Sequence, residues 1–593
     1  MKVDQRHNHR DNPQDLYYQQ VDMDLAHYAL LAFGCFAGLL LIWRALFGLS
    51  CYLRQVACPT NDRQQFFVPA SKWIAAARVH FLYAPLLRTR HHCELRLSRA
   101  INMGTLPSRS QSCVVLGILA MNVALCTVNV PYHTDLAPAV VRRRAGTMAT
   151  MNLIPVVLMA GRNNPLICFL RISYDTFNLL HRWLARIVVL ECFAHVFAWC
   201  IPKARHGGWD AVREAFRGSW FLQTGLIAAS SFVFLLVHSP SPIRHAFYET
   251  FLHLHIAIVA VAFIFAGIHV EGHAAQKFLL AAIVLWGIER AARIARILYR
   301  NGSRSPTTAV IEYLQDDLLK VALHIPRPWH ITPGQHLYLY IPSISLWTSH
   351  PFSVCWSEDR KMLDTRDTEK NNNEKCQQET IYILIRRRTG FTETLARRVR
   401  RSVNQTLSVH AIVEGPYGAI HSLDSYGTVV LFAGGVGITH HLLYLRRLVR
   451  GQVDGTAAAK RITLVWVVRL LGDVESVEDW VGSILRIGKA REEEESTSRN
   501  WTSARVLRIL IYATGVCDNT DESSHIGLDQ GEKQVFSGRP SLEKVLAWEV
   551  ENQVGAMGVL CCGPGGLSDD VRRVCREAQS RSRIDFFEES FTW

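Results

Sequence analysis

The sequence predicts a multi-domain membrane protein: an α-helical transmembrane bundle of about seven spans, then an antiparallel β-barrel, then a small doubly wound α/β domain. Three observations predict it. Apolar residues fill 49% of the 593 positions and gather, before residue 300, in runs long enough to cross a bilayer. After Arg300 come short runs rich in β-branched and aromatic residues, such as TAVIEYL, LLKVALHI, HLYLYIP, ETIYILIRRR and LSVHAIVEG. From residue 425 strand and helix patterns alternate, starting at TVVLFAGGVGITHHLLYLRRLV. The expected boundaries are a polar tail at 1–26, a membrane domain at 27–300, a barrel at 301–424 and an α/β domain at 425–593.

Composition excludes several classes. The formal charge of +14 invites a nucleic-acid partner, but the basic residues flank apolar spans without an aromatic-basic recognition pattern, so lipid topology explains them and no nucleic acid is expected. The 15 cysteines form neither a CxxC pair nor a regular framework, which argues against structural zinc and against a disulfide scaffold. The tail MKVDQRHNHRDNPQDLYYQQVDMD lacks the apolar core of a cleavable signal. A transporter with a regulatory soluble domain would explain the spans but leave the soluble motifs below without a purpose.

The spans are expected at 27–49, 112–130, 147–161, 180–201, 219–238, 251–270 and 276–297. The basic residues Arg54, Arg63, Lys72, Arg78, Arg88, Arg90, Arg96, Arg99 and Arg109, together with Arg290, Arg293, Arg296 and Arg300, place the first loop and the C-terminal half in the cytosol. The N-terminus is then outside, and no N-glycan is expected at Asn301, Asn404 or Asn500. Arg142, Arg143 and Arg144 conflict with this scheme, because they fall in a loop assigned to the outside.

Within the bundle, HRWLARIVVLECFAHVFAWC and FLHLHIAIVAVAFIFAGIHV each carry two histidines fourteen positions apart, His181 with His195 and His255 with His269. Fourteen helical steps return to within about 40° of one face and separate the rings by about 21 Å. Two such helices side by side would clamp two flat macrocycles, a dihaem wire with His181 and His255 on the inner haem and His195 and His269 on the outer. A single histidine on an apolar helix is usually a satisfied core residue; two matched pairs at membrane depth point to function. His253 is a helix-end residue on this count, and His238 and His245 receive no ligand role. Arg182 and Arg186 read equally as partners of haem propionates or as topology determinants. Outside, His206, Glu271 and His273 are the polar groups available to an electron acceptor.

The barrel carries three local motifs. HPFSV offers His350, Pro351, Phe352 and Ser353 to flank an isoalloxazine; RRRTGFT offers Arg388, Gly390 and Thr392 to a pyrophosphate; EGPYG follows at 414–418. Each alone could be a surface turn, and together in this order they read as a flavin site. The insertion at 357–379 carries no recognisable chemistry. In the last domain, Gly434, Gly435 and Gly437 precede a helix start with Thr439, a phosphate cradle that departs from strict GxGxxG spacing because His440 stands at its last glycine. Arg469 ends a strand, where it is either a 2′-phosphate partner or a solvated arginine. Cys562, beside Gly563, is either a nicotinamide neighbour or a buried structural cysteine. The chain closes with FFEESFTW, whose aromatic can lie over the flavin.

The ordered set HRW with His195, His255 with His269, HPFS, GGVGIT, LCCGPGG and EESFTW resembles the fungal ferric-chelate reductases, in the superfamily that includes the NADPH oxidases. The resemblance runs from about residue 110 onward. It implies a membrane ferric reductase domain with two b-type haems, a ferredoxin-reductase-like FAD domain and an NADPH domain. It places haem ligands on the four paired histidines, flavin contacts on His350, Pro351, Phe352, Ser353, Arg388, Gly390 and Thr392, nucleotide contacts on Gly434, Gly435, Gly437, Thr439, Cys562 and Gly563, and the flavin shield on Phe591. The superfamily often has proline where His440 stands. The expected reaction moves electrons from cytosolic NADPH to extracellular ferric chelates or siderophores, with Cu(II) a further substrate. The expected setting is the plasma membrane, upstream of a ferrous uptake system. The short N-terminal tail holds no dedicated iron-capturing module. The rival activity is superoxide production by an NADPH oxidase; HPFS in place of the HPFT common in oxidases favours the reductase.

Overall fold

The computed structural model describes residues 13–58, 64–69, 71–88, 91–96, 98, 102–315, 317–345, 348–358, 380–496, 506–515 and 533–589. The chain divides into two compact units, one of residues 1–45 and 95–292, the other of 46–94 and 293–593. The second unit thus takes in the loop between the first two long helices, which linear domain boundaries cannot express.

The first unit is built from α1 (Pro13–Ala57), α2 (Arg109–Thr127), α3 (Ala137–Ala160), α4 (Tyr174–Gly218), α5 (Trp220–His238), α6 (Tyr248–His269) and α7 (Gln276–Asn301), with α1 and α7 continuing into the second unit. Five of these, α1, α2, α4, α5 and α6, are long and apolar enough to cross a membrane. Helix α3 falls short on composition because it carries Arg142, Arg143 and Arg144 inside the helix rather than in a loop as expected. The reason is local pairing. Arg144 is fully buried; its guanidinium meets Asp22 of α1 and donates to the Leu125 and Val128 carbonyls at 2.9 Å, closing the end of α2. Arg143 reaches Asp22 and Asp15 at 2.6 Å each. A charge neutralised this way does not count toward topology, because that rule concerns solvated loop cations.

Helix α4 corrects a second expectation. The segment 201–220, read as an outside loop, continues the helix to Gly218 across a break at Gly208, whose φ of 70° glycine accepts without strain. Leu153, Val156, Leu184, Ile187, Val188, Phe263 and Leu279 form the packed centre of the unit.

The second unit holds two β domains. Strands β1 (Thr308–Tyr313), β2 (Leu318–His324), β3 (Gln335–Tyr340), β4 (His350–Ser353), β5 (Trp356–Ser357), β6 (Thr380–Arg386), β7 (Thr406–His410) and β8 (Ile412–Gly418) pair antiparallel throughout, in the orders β5-β6-β2-β1-β7 and β4-β3-β8. Inward residues alternate along them, as in the β2 core positions Leu319, Val321 and Leu323. Helix α8 (Phe391–Arg400) covers one end with Phe391, Leu395 and Val399.

Strands β9 (Thr428–Gly434), β10 (Arg461–Val468), β11 (Leu507–Ala513), β12 (Lys533–Ser537), β13 (Met557–Cys562) and β14 (Ile584–Glu589) form one parallel sheet, ordered β12-β11-β10-β9-β13-β14. Its middle strands are apolar along their whole length, as burial on both faces requires. Helices α9 (Ile438–Val453), α10 (Glu478–Ser496), α11 (Leu542–Glu551) and α12 (Gly565–Ala578) connect them. The strand order reverses between β9 and β13, and in such sheets a ligand crevice opens at that point.

Candidate functional site

The histidine pairs predicted from spacing come together. The rings of His181 and His255 have centroids 6.4 Å apart, and those of His195 and His269 are 6.1 Å apart. Two metal–imidazole bonds of about 2 Å plus two ring radii of about 1.1 Å place the centroids of a bis-imidazole site about 6.2 Å apart, so both gaps accept one metal ion between the rings. The tautomers suit ligation too. Nδ1–H of His181 donates to the Val156 carbonyl at 2.9 Å, that of His195 to Arg142 at 2.7 Å and that of His269 to Phe221 at 2.9 Å, which leaves each Nε2 as the lone-pair donor. His255 Nδ1 has no partner among the described residues.

Two glycines that sequence reasoning passed over shape the outer pair. A Cβ on Gly146 would lie 2.7 Å from His195 Nδ1, and one on Gly225 would lie 2.6 Å from His269 Cε1, so each ring fills space that only glycine leaves open. Phe221 stacks on His269 at 4.2 Å. Near the other pair, Arg182, Arg186 and Arg244 stand close enough to feel one another's charge, and none forms an ion pair among the described residues. His253 is exposed on α6 and bonds its own turn at Glu249, whereas His238 stacks between Phe234 and Phe251.

In the barrel domain, the two leading motifs meet. His350 stacks on Phe391 at 4.3 Å, which sets β4 against the start of α8. Pro351 and Phe352 are half-buried and Ser353 is buried, in register with Tyr338, Leu337 and His336. Gly390, with φ 84°, turns the chain into α8, and Thr392 closes the loop by accepting from Arg388 N at 2.8 Å and donating to Arg388 O at 2.9 Å. The exposed Arg388 side chain is left facing solvent beside a helix N-terminus, a suitable place for an anion. The third motif works differently. Glu414 is fully buried and accepts from Arg293 at 2.8 and 2.9 Å, from Tyr340 at 2.9 Å and from Tyr417 at 2.6 Å.

In the parallel sheet, the turn Gly434–Gly437 after β9 and the turn Cys562–Gly563 after β13 flank the switch point. They touch so closely that a Cβ on Gly434 would lie 2.5 Å from Pro564 Cδ, and one on Gly437 would lie 2.2 Å from the Cys562 carbonyl oxygen. Only Gly435, at φ 53°, is demanded by backbone conformation. Thr439 is buried and donates to Val436 O at 2.9 Å, closing the turn. His440 is buried against Tyr444, and burial holds its imidazole neutral, with His441, His421 and His336 adding to that effect. Cys562 is 2% exposed and burial pushes its thiol well up, so it packs the turn as a neutral thiol. Arg469 is exposed at the end of β10 without an ion pair among the described residues. Phe591 lies outside the described residues.

A feature of this unit left no clear trace in the sequence. The segment 64–94 lies along the nucleotide-binding sheet: Arg78 pairs with Asp585 on β14, Gln64 donates to Ala458 O at 2.8 Å, and Asp569 on α12 accepts from the backbone N–H groups of His91, His92 and Cys93 at 2.8–3.1 Å. The turn leading into α12 is the one that carries Gly563.

A helical membrane unit with two imidazole clamps, joined to an antiparallel flavin-type domain and a parallel nucleotide-type sheet, defines a membrane-bound electron-transfer oxidoreductase. The chain carries the three domains of the ferric reductases and is similar to fungal members of that family over most of its length. Residues 145–266 match the profile of the ferric reductase like transmembrane component, 304–421 an FAD-binding domain and 426–576 the ferric reductase NAD binding domain. It is 26% identical over 538 residues to ferric/cupric reductase transmembrane component 2 of Saccharomyces cerevisiae, covering 86% of this chain and 71% of that one. It is 27% identical to ferric reductase transmembrane component 3 of the same yeast, with 83% and 68% covered. Ferric/cupric reductase transmembrane component 1 of Candida albicans is 24% identical, with 83% and 63% covered.

Proposed function

We propose that the protein is a transmembrane ferric-chelate reductase that carries electrons from cytosolic NADPH to Fe(III) chelates outside the cell, with Cu(II) as a further substrate. The observation that carries this reading is the pair of imidazole separations, 6.4 and 6.1 Å, on two helices whose histidines are fourteen residues apart. Bound FAD would supply the conversion of a hydride from NADPH into single electrons, and two bound b-type haems would supply a one-electron path across the bilayer. The chain's part is to hold and orient. His181 with His255, and His195 with His269, would each hold one haem through two imidazoles, a ligation that favours electron transfer over ligand chemistry. Arg182, Arg186 and Arg244, which form no ion pair among the described residues, would supply cations for propionates at the inner site. His350 to Ser353, with Arg388, Gly390 and Thr392, seat the flavin and its pyrophosphate. Gly434, Gly435, Gly437, Thr439 and Gly563 shape the crevice for the nucleotide, and exposed Arg469 suits a 2′-phosphate, hence NADPH over NADH. The family resemblance assigns the flavin shield to Phe591, which lies outside the described residues. Helices α3 and α7 complete seven spans, with the N-terminus outside in the plasma membrane. Ferric siderophores enter this scheme as chelates, and the Fe(II) product passes to a ferrous uptake system.

The test is NADPH-driven reduction of a ferric chelate by membranes carrying the protein, run without oxygen and read with a ferrous-specific dye. Robust anaerobic reduction that is lost in His195→Ala supports the assignment. Reduction that needs oxygen and vanishes with superoxide dismutase would make the protein an oxidase instead.

A further inference from the structure

Between the two histidine levels of α4 sits a carboxyl group that the relay itself does not need. Glu191 lies ten residues after His181 and four before His195, hence about 15 Å along the axis from one and about 6 Å from the other. Its side chain is 6% exposed. Both carboxyl oxygens lie 3.0 Å from Nδ2 of Asn152 on α3, and Asn152 is fully buried. The same Nδ2 donates to Oδ1 of Asn122 on α2 at 2.7 Å, and Asn122 in turn donates to the Ile118 carbonyl at 2.9 Å. A backbone carbonyl has only acceptor capacity, so it fixes the direction of the whole chain: Asn122 presents its oxygen to Asn152, and Asn152 presents its amide hydrogens to Glu191. Asn152 Oδ1 has no partner among the described residues. The network is built to meet acceptor oxygens on Glu191, and it supplies them through a single nitrogen.

No lysine, arginine or histidine forms an ion pair with Glu191 among the described residues. The titratable groups around it are Cys192 on its own helix and Cys126 on α2, both of which sense its charge. Arg144 of α3 and Asp22 of α1 also act on Cys126, but they neutralise each other. On the outward side the next groups along α4 and α6 are His195 and His269. An isolated ionised carboxylate in a low-dielectric interior is held only by pairing or full hydrogen bonding, and here it has neither a cation nor a complete shell. Each electron entering the outer clamp adds negative charge beside it, and in such a medium charges at this range interact strongly.

We propose that Glu191 is a proton-binding site coupled to the electron at the His195–His269 level. It takes one proton from solvent as one electron arrives from the inner side, and gives that proton back as the electron leaves to the ferric chelate. Electron and proton numbers balance, and the carboxyl group itself is neither oxidised nor reduced. This inference rests on the haem reading above.

The test is spectroelectrochemical titration of the purified full-length protein between pH 5.5 and pH 8.5, after an absorption spectrum has established two haems. The outer midpoint is expected to fall with rising pH, up to the one-proton limit of tenfold in equilibrium constant per pH unit, 59 mV for one electron. In Glu191→Gln that slope is expected to flatten while both haem spectra persist. A pH-independent outer midpoint in the native protein, or a slope unchanged in Glu191→Gln, overturns the inference and leaves the reductase reading intact. A preparation without haem overturns both. Should Glu191→Gln fail to fold, redox-difference infrared spectra of the native protein decide: a protonated-carboxyl band that grows on reduction supports the site, and its absence removes it.

Discussion

Replacing Gly225 by alanine tests whether the outer clamp depends on a space only glycine leaves. The added methyl would stand 2.6 Å from His269 Cε1, 2.7 Å from Nδ1 and 3.1 Å from Nε2, so it meets the ring face rather than one atom. Carbon contacts relax at about 3.5–4.0 Å, so the ring must move by about 1 Å. It cannot do so freely. Phe221 stacks on one face, and the 2.9 Å bond from Nδ1–H to the Phe221 carbonyl fixes the tilt, so a move of that size breaks the bond and carries Nε2 off axis. Loss of such an orienting partner costs about 10–100-fold in metal affinity, and misplacement by about 1 Å costs a similar factor in rate. The expected outcome is a protein that keeps its inner haem, loses or weakens the outer one, and reduces external ferric chelate at least tenfold more slowly, while NADPH oxidation by a soluble flavin-level acceptor persists. Pyridine haemochrome content and reduced-minus-oxidised spectra read the first part, and anaerobic dye assays the second. Gly267→Ala, with nothing within 4 Å of the new Cβ, is the control and is expected to retain both haems. Two intact haems and full surface reduction in Gly225→Ala would refute the cradle argument.

The same reasoning reaches the cytosolic unit. Gly437→Ala puts a Cβ 2.2 Å from the Cys562 carbonyl, a backbone atom that cannot step aside, so NADPH affinity measured by fluorescence titration should fall at least tenfold; unchanged affinity would remove that turn from the nucleotide site. Arg293→Leu leaves the fully buried Glu414 without its cation, at a cost of about 3–5 kcal/mol, to be read as a lower thermal midpoint in detergent, and an unshifted midpoint would count against the pair. Asp569→Ala deprives three backbone N–H groups at 91–93 of their acceptor, so limited proteolysis should cut near that segment much faster than in the native protein. Burial pushes the Glu588 carboxyl up, but Arg572 and His92 outweigh it and hold it at about 2, below its ordinary 4.5. A carboxyl depressed on folding contributes stability above its unfolded value and loses it as pH falls through the folded one. The native minus Glu588→Gln stability difference should therefore stay level down to about pH 4.5 and shrink toward pH 2; a difference that grows on acidification would reverse the assignment.

What could be read from the sequence was what covalent spacing fixes. Fourteen residues on one helix place two histidines on one face whatever surrounds them, and the rings indeed pair. The glycine turns after apolar strands were legible in the same way, and the turns after β9 and β13 lie against one another. What escaped was decided by partners distant in sequence. Arg54 and Arg78 read as solvated topology markers, yet they are 1% and 8% exposed, with Asp585 as the shared carboxylate more than 500 residues away. Arg142 to Arg144 seemed misplaced because Asp22, more than a hundred residues earlier, gave no sign that it would bury beside them. Gly146 and Gly225 looked like any small residue on an apolar helix, since nothing local marks a glycine that faces an imidazole. The helix past Cys200 was missed because the apolar run that marks the span stops at residue 201, whereas the helix continues to Gly218 with a break at Gly208.

The membrane-domain match, residues 145–266, covers most of the four helices that build the clamps and stops a few residues short of Arg142 at one end and His269 at the other. Three of the four rings have an acceptor for Nδ1–H behind the ligand position. Val156 and Arg142 provide that acceptor from α3 for both histidines of α4, fourteen residues apart like the histidines they serve. Phe221 provides it from α5 for His269. The two clamps are therefore assembled from α3 to α6, and α1, α2 and α7 contribute no ligand and no orienting carbonyl. Helices α1 and α2 act one step further out: Asp22 and the end of α2 satisfy Arg144, and Arg144 anchors the turn of α3 whose Arg142 carbonyl orients His195. On this logic Asp22→Ala should disturb the outer haem before the inner one, although Asp22 touches neither histidine. Equal loss of both haems, read from the same reduced-minus-oxidised spectra, would instead mean that the pair only holds the bundle together.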